Sequence, residues 1–220
     1  MRCVIFDLDG TLADTSGDLI AAANACFSDL GLGDLLDPAV DAGVALRGGR
    51  AMLRLGFSRV DGHDNVDLDP LYLNLVGHYS KNLDEHTVLY PGVMEAIGVL
   101  KDQGYAVGIC TNKPSKQAED LMRLLGVRDA FGSLVGADTL PVKKPDPEPL
   151  REAARRAGGD PAKMVLVGDS DTDRNTAKAA GCPSILVTFG PSGEDMAALD
   201  PEALLEDYAD LPRIVAELIG

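Results

Sequence analysis

The stretch Cys3-Val4-Ile5-Phe6-Asp7-Leu8-Asp9-Gly10-Thr11 runs four apolar residues into two acids spaced two apart and then a glycine. A continuous apolar run, without polar alternation, predicts a strand covered on both faces, which is the habit of parallel sheets. Residues 106–110, 164–167 and 185–189 have the same character, and 133–135 is a shorter fifth run. Helical segments lie between them. Pro91-Gly92 opens a run to Gln103 that Gly104 stops, Pro114 opens another that Gly126 stops, and Asp171 begins one closed by Gly181. Strands alternating with helices predict an α/β domain with a doubly wound parallel sheet.

About a hundred residues separate the first run from the second, far more than the single crossover helix of a βαβ unit. Something is inserted there. The inserted stretch has helical apolar spacing at Leu19, Ile20, Ala23, Phe27 and Leu30, and again at Leu71, Leu75, Val76, Tyr79 and Leu83. Asp37-Pro38 and Asp69-Pro70 have the form of an N-cap followed by a first-turn proline. The expected organisation is a core of 1–14 and 88–220 with a helical bundle inserted over 15–87.

A chain of 220 residues allows one large domain, or one domain carrying a smaller insertion. Apolar residues at 45% and charged residues at 25% supply a proper core and exclude a disordered chain. Acidic side chains outnumber basic ones by 35 to 20, for a net charge of −15. That field repels nucleic-acid backbones and anionic membrane surfaces, so neither is an expected partner. An anionic substrate would need local cations. The apolar run before Asp7 is too short for a signal peptide or a membrane span, which predicts a cytoplasmic protein. Cys3, Cys26, Cys110 and Cys182 form no CxxC pair and are expected as buried, reduced thiols. His63, His78 and His86 have no metal-ligand spacing and are expected as surface or cap residues.

Three strand ends carry chemistry, because ligands of open α/β sheets bind outside the carboxyl ends of the strands. The first ends in Asp7 and Asp9, whose carboxyls point to the same side when extended, and Gly10 permits a sharp exit. The second ends in Thr111-Asn112-Lys113, a hydroxyl, an amide and backbone N–H groups at a helix start, where anions are favoured. The third ends in Gly168-Asp169-Ser170-Asp171-Thr172-Asp173, a dense set of hard oxygen donors suited to Mg²⁺. A basic pair, Lys143-Lys144 before Pro145, precedes it. Taken singly, each segment also fits a capped turn or a solvated surface. Charge favours the joint reading. Asp7, Asp9, Asp169 and a phosphate dianion brought together would repel by about 4 kcal/mol per close pair at an effective dielectric of 20. A divalent cation and a lysine are what could hold such a cluster.

The order DxDGT, Thr-Asn, Lys-Pro and GDSxxD resembles the haloacid dehalogenase superfamily over nearly the whole chain. The resemblance implies a Rossmann-like core with an inserted helical cap, and phosphomonoester hydrolysis through an aspartyl-phosphate. It implies Asp7 as nucleophile and Asp9 as general acid and then base. The dehalogenase branch lacks that second Asp. Thr111 and Asn112 would hold the phosphoryl group, and Lys144 would neutralise its charge, with Lys143 as rival. Mg²⁺ would be held by the Asp7 and Asp169 carboxylates and the Asp9 backbone carbonyl, with Asp173 and Ser170 in support; Asp171 is expected to cap the next helix. The inserted bundle resembles the superfamily's cap, which excludes water and reads the leaving group. There Leu46-Arg47-Gly48-Gly49-Arg50 offers two cations, and Arg47 is the expected contact for the remote anionic part of a small phosphomonoester, with Arg50 as alternative.

Chain length, cap position and the stretches Tyr90-Pro91-Gly92 and Thr188-Phe189-Gly190 are similar to the phosphoglycolate phosphatase branch, which implies 2-phosphoglycolate as substrate. The alternatives are a phosphosugar mutase resembling β-phosphoglucomutase, a phosphatase for another small phosphometabolite, or, more remotely, a non-catalytic phosphorylatable receiver-type module. Receiver modules are about half this length without a large insertion. A phosphonatase needs a Schiff-base lysine from the cap, where the first lysine, Lys81, comes near the exit. A dinucleotide-binding dehydrogenase would have a Gly-rich turn in place of Asp-Leu-Asp-Gly. Either a monomer or a homodimer is compatible with the sequence.

Overall fold

The computed structural model describes residues 1–63, 66–191 and 195–220. In chain order the elements are β1 (Cys3–Phe6), β2 (Ala13–Asp14), α1 (Ser16–Asp29), α2 (Pro38–Ala45), α3 (Gly49–Phe57), α4 (Leu68–Tyr79), β3 (Val88–Leu89) and α5 (Val93–Asp102). They continue with β4 (Ala106–Cys110), α6 (Ser115–Leu124), β5 (Ser133–Val135), α7 (Glu148–Arg156), β6 (Met164–Gly168), α8 (Asp171–Ala180), β7 (Ser184–Val187), β8 (Ala203–Leu205) and α9 (Leu211–Ile219). Two compact units result: Met1–Ala13 with Leu89–Gly190 and 195–220, and Asp14–Val88.

The larger unit holds a parallel sheet of order β5-β4-β1-β6-β7-β8. This is the doubly wound order in which the strand sequence reverses beside the first strand. All four residues of β1 are fully buried, each side chain contributing about 2 kcal/mol by leaving water. Alternation along β1 divides them between the faces. Cys3 and Ile5 join Leu150, Ala153 and Ala154 of α7 and Ala177 of α8 in one cluster. Phe6 meets Phe131 edge-on, with ring centroids 6.4 Å apart.

The sheet departs from the sequence expectation in two places. β7 ends at Val187, two residues early, because Phe189 leaves the sheet to pack between the rings of Tyr90 and Tyr208. A sixth strand, β8, pairs with β7 at the edge.

In the smaller unit α1 packs against α2, α3 and α4. Ile20, Ala23 and Phe27 are buried as the spacing predicts, whereas Leu30 is half exposed at the end of the helix. Phe27 meets Phe57 edge-on at 5.3 Å. Asp37 caps α2 as expected, accepting from Ala39 N. Asp69 does not cap α4: Asp67 does, accepting from Asp69 N, so that Asp69 and Pro70 fall within the first turn. The buried Asp18 carboxylate accepts from the backbone N–H groups of His86 and Thr87 and from the Thr87 hydroxyl. These bonds tie the end of the unit to its first helix.

Cys3, Cys26 and Cys110 are buried and Cys182 is only partly so. No helix among the described residues is long and apolar enough to cross a membrane.

Candidate active site

Register brings the strand ends together. Phe6 is level with Ile109 of β4 and Val167 of β6, so Asp7, Thr111 and Asp169 leave the sheet at one edge. One carboxylate oxygen from each of Asp7, Asp169 and Asp173 lies within 4.8 Å of the others. Asp7 is anchored by its N–H to Val167 O at 2.9 Å. The turn after it is pinned by Leu8 O, which accepts from the N–H groups of Thr11, Leu12 and Ala13.

The two lysines of the pair differ in placement, and Lys144 is the one beside Asp7. Its side chain is 1% exposed, with Nζ 2.6 Å from Asp173 Oδ1 and 3.0 Å from Asp7 Oδ1, whereas Lys143 is exposed. Asp173 is committed on both oxygens: Oδ2 accepts from Ser170 Oγ at 2.6 Å and from Asp169 N at 3.2 Å. It therefore holds Lys144 and the GDS loop in place. Ser170 also caps α8, accepting from Asp173 N. The cap expected at Asp171 is thus one residue earlier, and Asp171 sits in the first turn.

Asn112 Nδ2 donates to Lys144 O at 3.1 Å, joining the second and third segments. Thr111 is buried and its Oγ1 accepts from Lys113 N. Arg47 is exposed in the turn between α2 and α3 of the smaller unit. Arg50 is held within that unit by Asp69 at 2.7 Å and by stacking over Tyr72 at 4.2 Å.

Two contributors went unassigned in the sequence. Thr11 Oγ1 donates to Asp169 Oδ1 at 3.0 Å and orients that carboxylate. Lys113 Nζ lies 2.7 Å from Asp9 Oδ1. The available signal was a second lysine directly at a strand end in an acidic chain.

Burial pushes the Asp7 carboxyl up to about 6, Lys144 pulls it down, and Asp173 and Asp9 push it further up. Burial likewise holds Asp169 well above the usual carboxylate range, with Asp173 and Asp7 adding to the effect. Burial opposes the charge on Lys144, yet Asp173 and Asp7 outweigh it and raise its pKa. Cys110, beneath the site, is pushed by burial up to about 12, which keeps it a thiol and removes it as a nucleophile.

The charge count tests whether a divalent cation fits. Four carboxylates, Asp7, Asp9, Asp169 and Asp173, face the ammonium groups of Lys113 and Lys144. Fully ionised, they leave two negative charges. Asp7 Oδ1 is also buried, with the Lys144 ammonium at 3.0 Å as an ion-pair partner and no hydrogen bond of its own. A hard divalent ion satisfies both features.

The family model described as haloacid dehalogenase-like hydrolase matches residues 4–187. The chain belongs to that family and is an enzyme of its hydrolase class. It is 36% identical to a phosphoglycolate phosphatase of Rhodospirillum rubrum over 96% of this chain and 89% of that one. It is 37% identical to a phosphoglycolate phosphatase of Mesorhizobium japonicum over 97% and 94%. A crystal structure of a predicted phosphoglycolate phosphatase from Haemophilus somnus 129pt superposes with a TM-score of 0.85 at 27% identity, covering 97% of each chain.

Proposed function

We propose that this hydrolase cleaves a small phosphomonoester, 2-phosphoglycolate, to glycolate and inorganic phosphate. The observation that carries the reading is the convergence of Asp7, Asp9, Lys144 and Asp169 on one strand edge. The near full-length similarity to phosphoglycolate phosphatases supports the choice of substrate. Asp7, raised to about 6, is still mostly carboxylate at neutral pH and can attack phosphorus. An Asp7 oxygen–phosphorus bond forms while the ester P–O bond breaks, and Asp9 gives the departing oxygen its proton. A water then attacks the aspartyl-phosphate, loses a proton to Asp9, and frees Asp7 and phosphate. Lys144 keeps Asp7 oriented and opposes the charge of the phosphoryl oxygens, which Thr111 and Asn112 bind. Mg²⁺, held by Asp7, Asp169 and the Asp9 carbonyl, would supply further neutralisation of phosphoryl charge. Arg47 is the proposed contact for the substrate's carboxylate, with Arg50, which pairs with Asp69 and stacks over Tyr72, as the alternative.

A panel of phosphomonoesters assayed for phosphate release tests this reading. The wild type is expected to favour 2-phosphoglycolate, Asp7→Asn to lose about 10³-fold or more in kcat, and Arg47→Ala to raise KM. Faster release from a sugar or nucleotide phosphate would reassign the substrate. Retained activity in Asp7→Asn would remove the mechanism.

A further inference from the structure

Two buried lysines lie against three carboxylates of the site. Lys144 lies against Asp7 and Asp173, and Lys113 against Asp9. The Lys113 side chain is 2% exposed, that of Asp9 19%. Burying an ammonium group is costly, and apolar residues of similar volume commonly stabilise a fold as well or better. Packing alone therefore does not account for a lysine here.

The backbone of Lys113 is fixed on both sides. Its N–H donates to Thr111 Oγ1 at 3.2 Å, and its carbonyl accepts from Ala137 N at 3.0 Å. The turn carrying Asp9 is pinned by the bonds to Leu8 O and by Gly10 N–H donating to Ala13 O at 2.9 Å. The ammonium thus reaches from the end of β4 to a carboxylate beyond β1, with both ends anchored.

An ammonium donates and cannot accept. Lys113 Nζ donates to Asp9 Oδ1 at 2.7 Å, which fixes the direction of that oxygen. We infer that Lys113 is a positioning residue for proton transfer, holding Asp9 by Oδ1 in the orientation from which its carboxyl exchanges a proton with the leaving oxygen. This rests on the reading of Asp9 as general acid.

Proton delivery matters most for a basic leaving group. Phenyl and p-nitrophenyl phosphate present the same ring with leaving oxygens of different basicity, and kcat/KM reports the step in which that oxygen departs. In the full-length, Mg²⁺-saturated enzyme, Lys113→Met is expected to lower kcat/KM about 30-fold for phenyl phosphate and about threefold or less for p-nitrophenyl phosphate. Asp9→Asn should show the same bias, larger, and the double variant should be no worse than Asp9→Asn. If Lys113→Met melts below the assay temperature, Lys113→Gln is compared in the same way. Equal losses on both esters, no loss on either, or additive losses in the double variant would overturn the role of Lys113. Absence of bias in Asp9→Asn would instead overturn the assignment of Asp9, and with it this inference.

Discussion

Asp173 is fully buried, with Lys144 on one oxygen and Ser170 and Asp169 N on the other. Its place depends on a residue with no side chain. A methyl group added to Gly168 would overlap Asp173 Cβ and Cγ, and those atoms cannot yield without drawing Lys144 from Asp7. Gly168→Ala is therefore expected to cost about 1 to 3 kcal/mol of stability. It should also lower kcat by about 10²-fold, the scale of a misplacement of roughly 1 Å. Thermal melts and steady-state kinetics check the two effects, and a variant with normal kcat would show that the Lys144–Asp173 contact is dispensable. Residue identity was legible where chemistry is written in side-chain type: the acid pair and the GDSxxD run announce oxygen ligands. The Lys-Pro resemblance pointed to Lys144 with Lys143 as rival, and burial separates the two, because adjacent lysines differ only in where the backbone points them. Lys113 was missed for the same reason, since its partner is a carboxylate from a distant segment.

Elements place these residues by register, and α8 is the element that fixes Asp173. The next residue, Arg174, has a 7% exposed side chain. Its guanidinium donates to Ser184 Oγ at the start of β7, to both Glu202 oxygens before β8, and to the carbonyls of Leu199 and Asp200. Asp200 has φ of 53°, in the region costly for a residue with a side chain. Removing the guanidinium would leave these acceptors without their charged donor. Arg174→Met is expected to destabilise the protein by about 2 to 4 kcal/mol, read as a lower urea midpoint with an unchanged slope. A shift under about 0.5 kcal/mol, the range of ordinary surface substitutions, would mean that water replaces the donor. The buried strands were legible because a short, continuous apolar run between turn residues suits a strand covered on both faces and is too brief for a buried helix. β8 was not, being a three-residue edge strand with partly exposed side chains. α7 was not because its buried stripe is Pro149, Leu150, Ala153 and Ala154, two of them alanines, behind Pro147.

At the scale of the whole molecule the acidic excess and the acidic site have separable consequences. The net charge of −15 acts through solvent and is screened by any salt within a Debye length of about 10 Å at 0.1 M. The site's carboxylates are buried, and salt reaches them poorly. Without a counter-ion, the folded state binds the Asp7 proton more tightly than the unfolded state, its carboxyl being raised from 3.8 to about 6. The stability this group contributes is fully present below pH 3.8 and is lost as pH rises through about 6. Asp169, raised well above 3.8, acts in the same direction. Mg²⁺ favours the ionised carboxylates, so its stabilisation should be greatest where that loss is complete. In a thermal melt, Mg²⁺ at about 100 times its Kd is expected to contribute roughly 2.7 kcal/mol, about 5 to 10 °C, at pH 7.5. The increment should be markedly smaller at pH 5. Asp169→Asn should melt higher than wild type without metal at pH 7.5 and lose most of the Mg²⁺ increment. Sodium chloride at matched ionic strength should raise both proteins alike. Equal Mg²⁺ increments at the two pH values, or the same increment from sodium chloride, would place the ion in the diffuse atmosphere of the acidic surface instead of between Asp7 and Asp169.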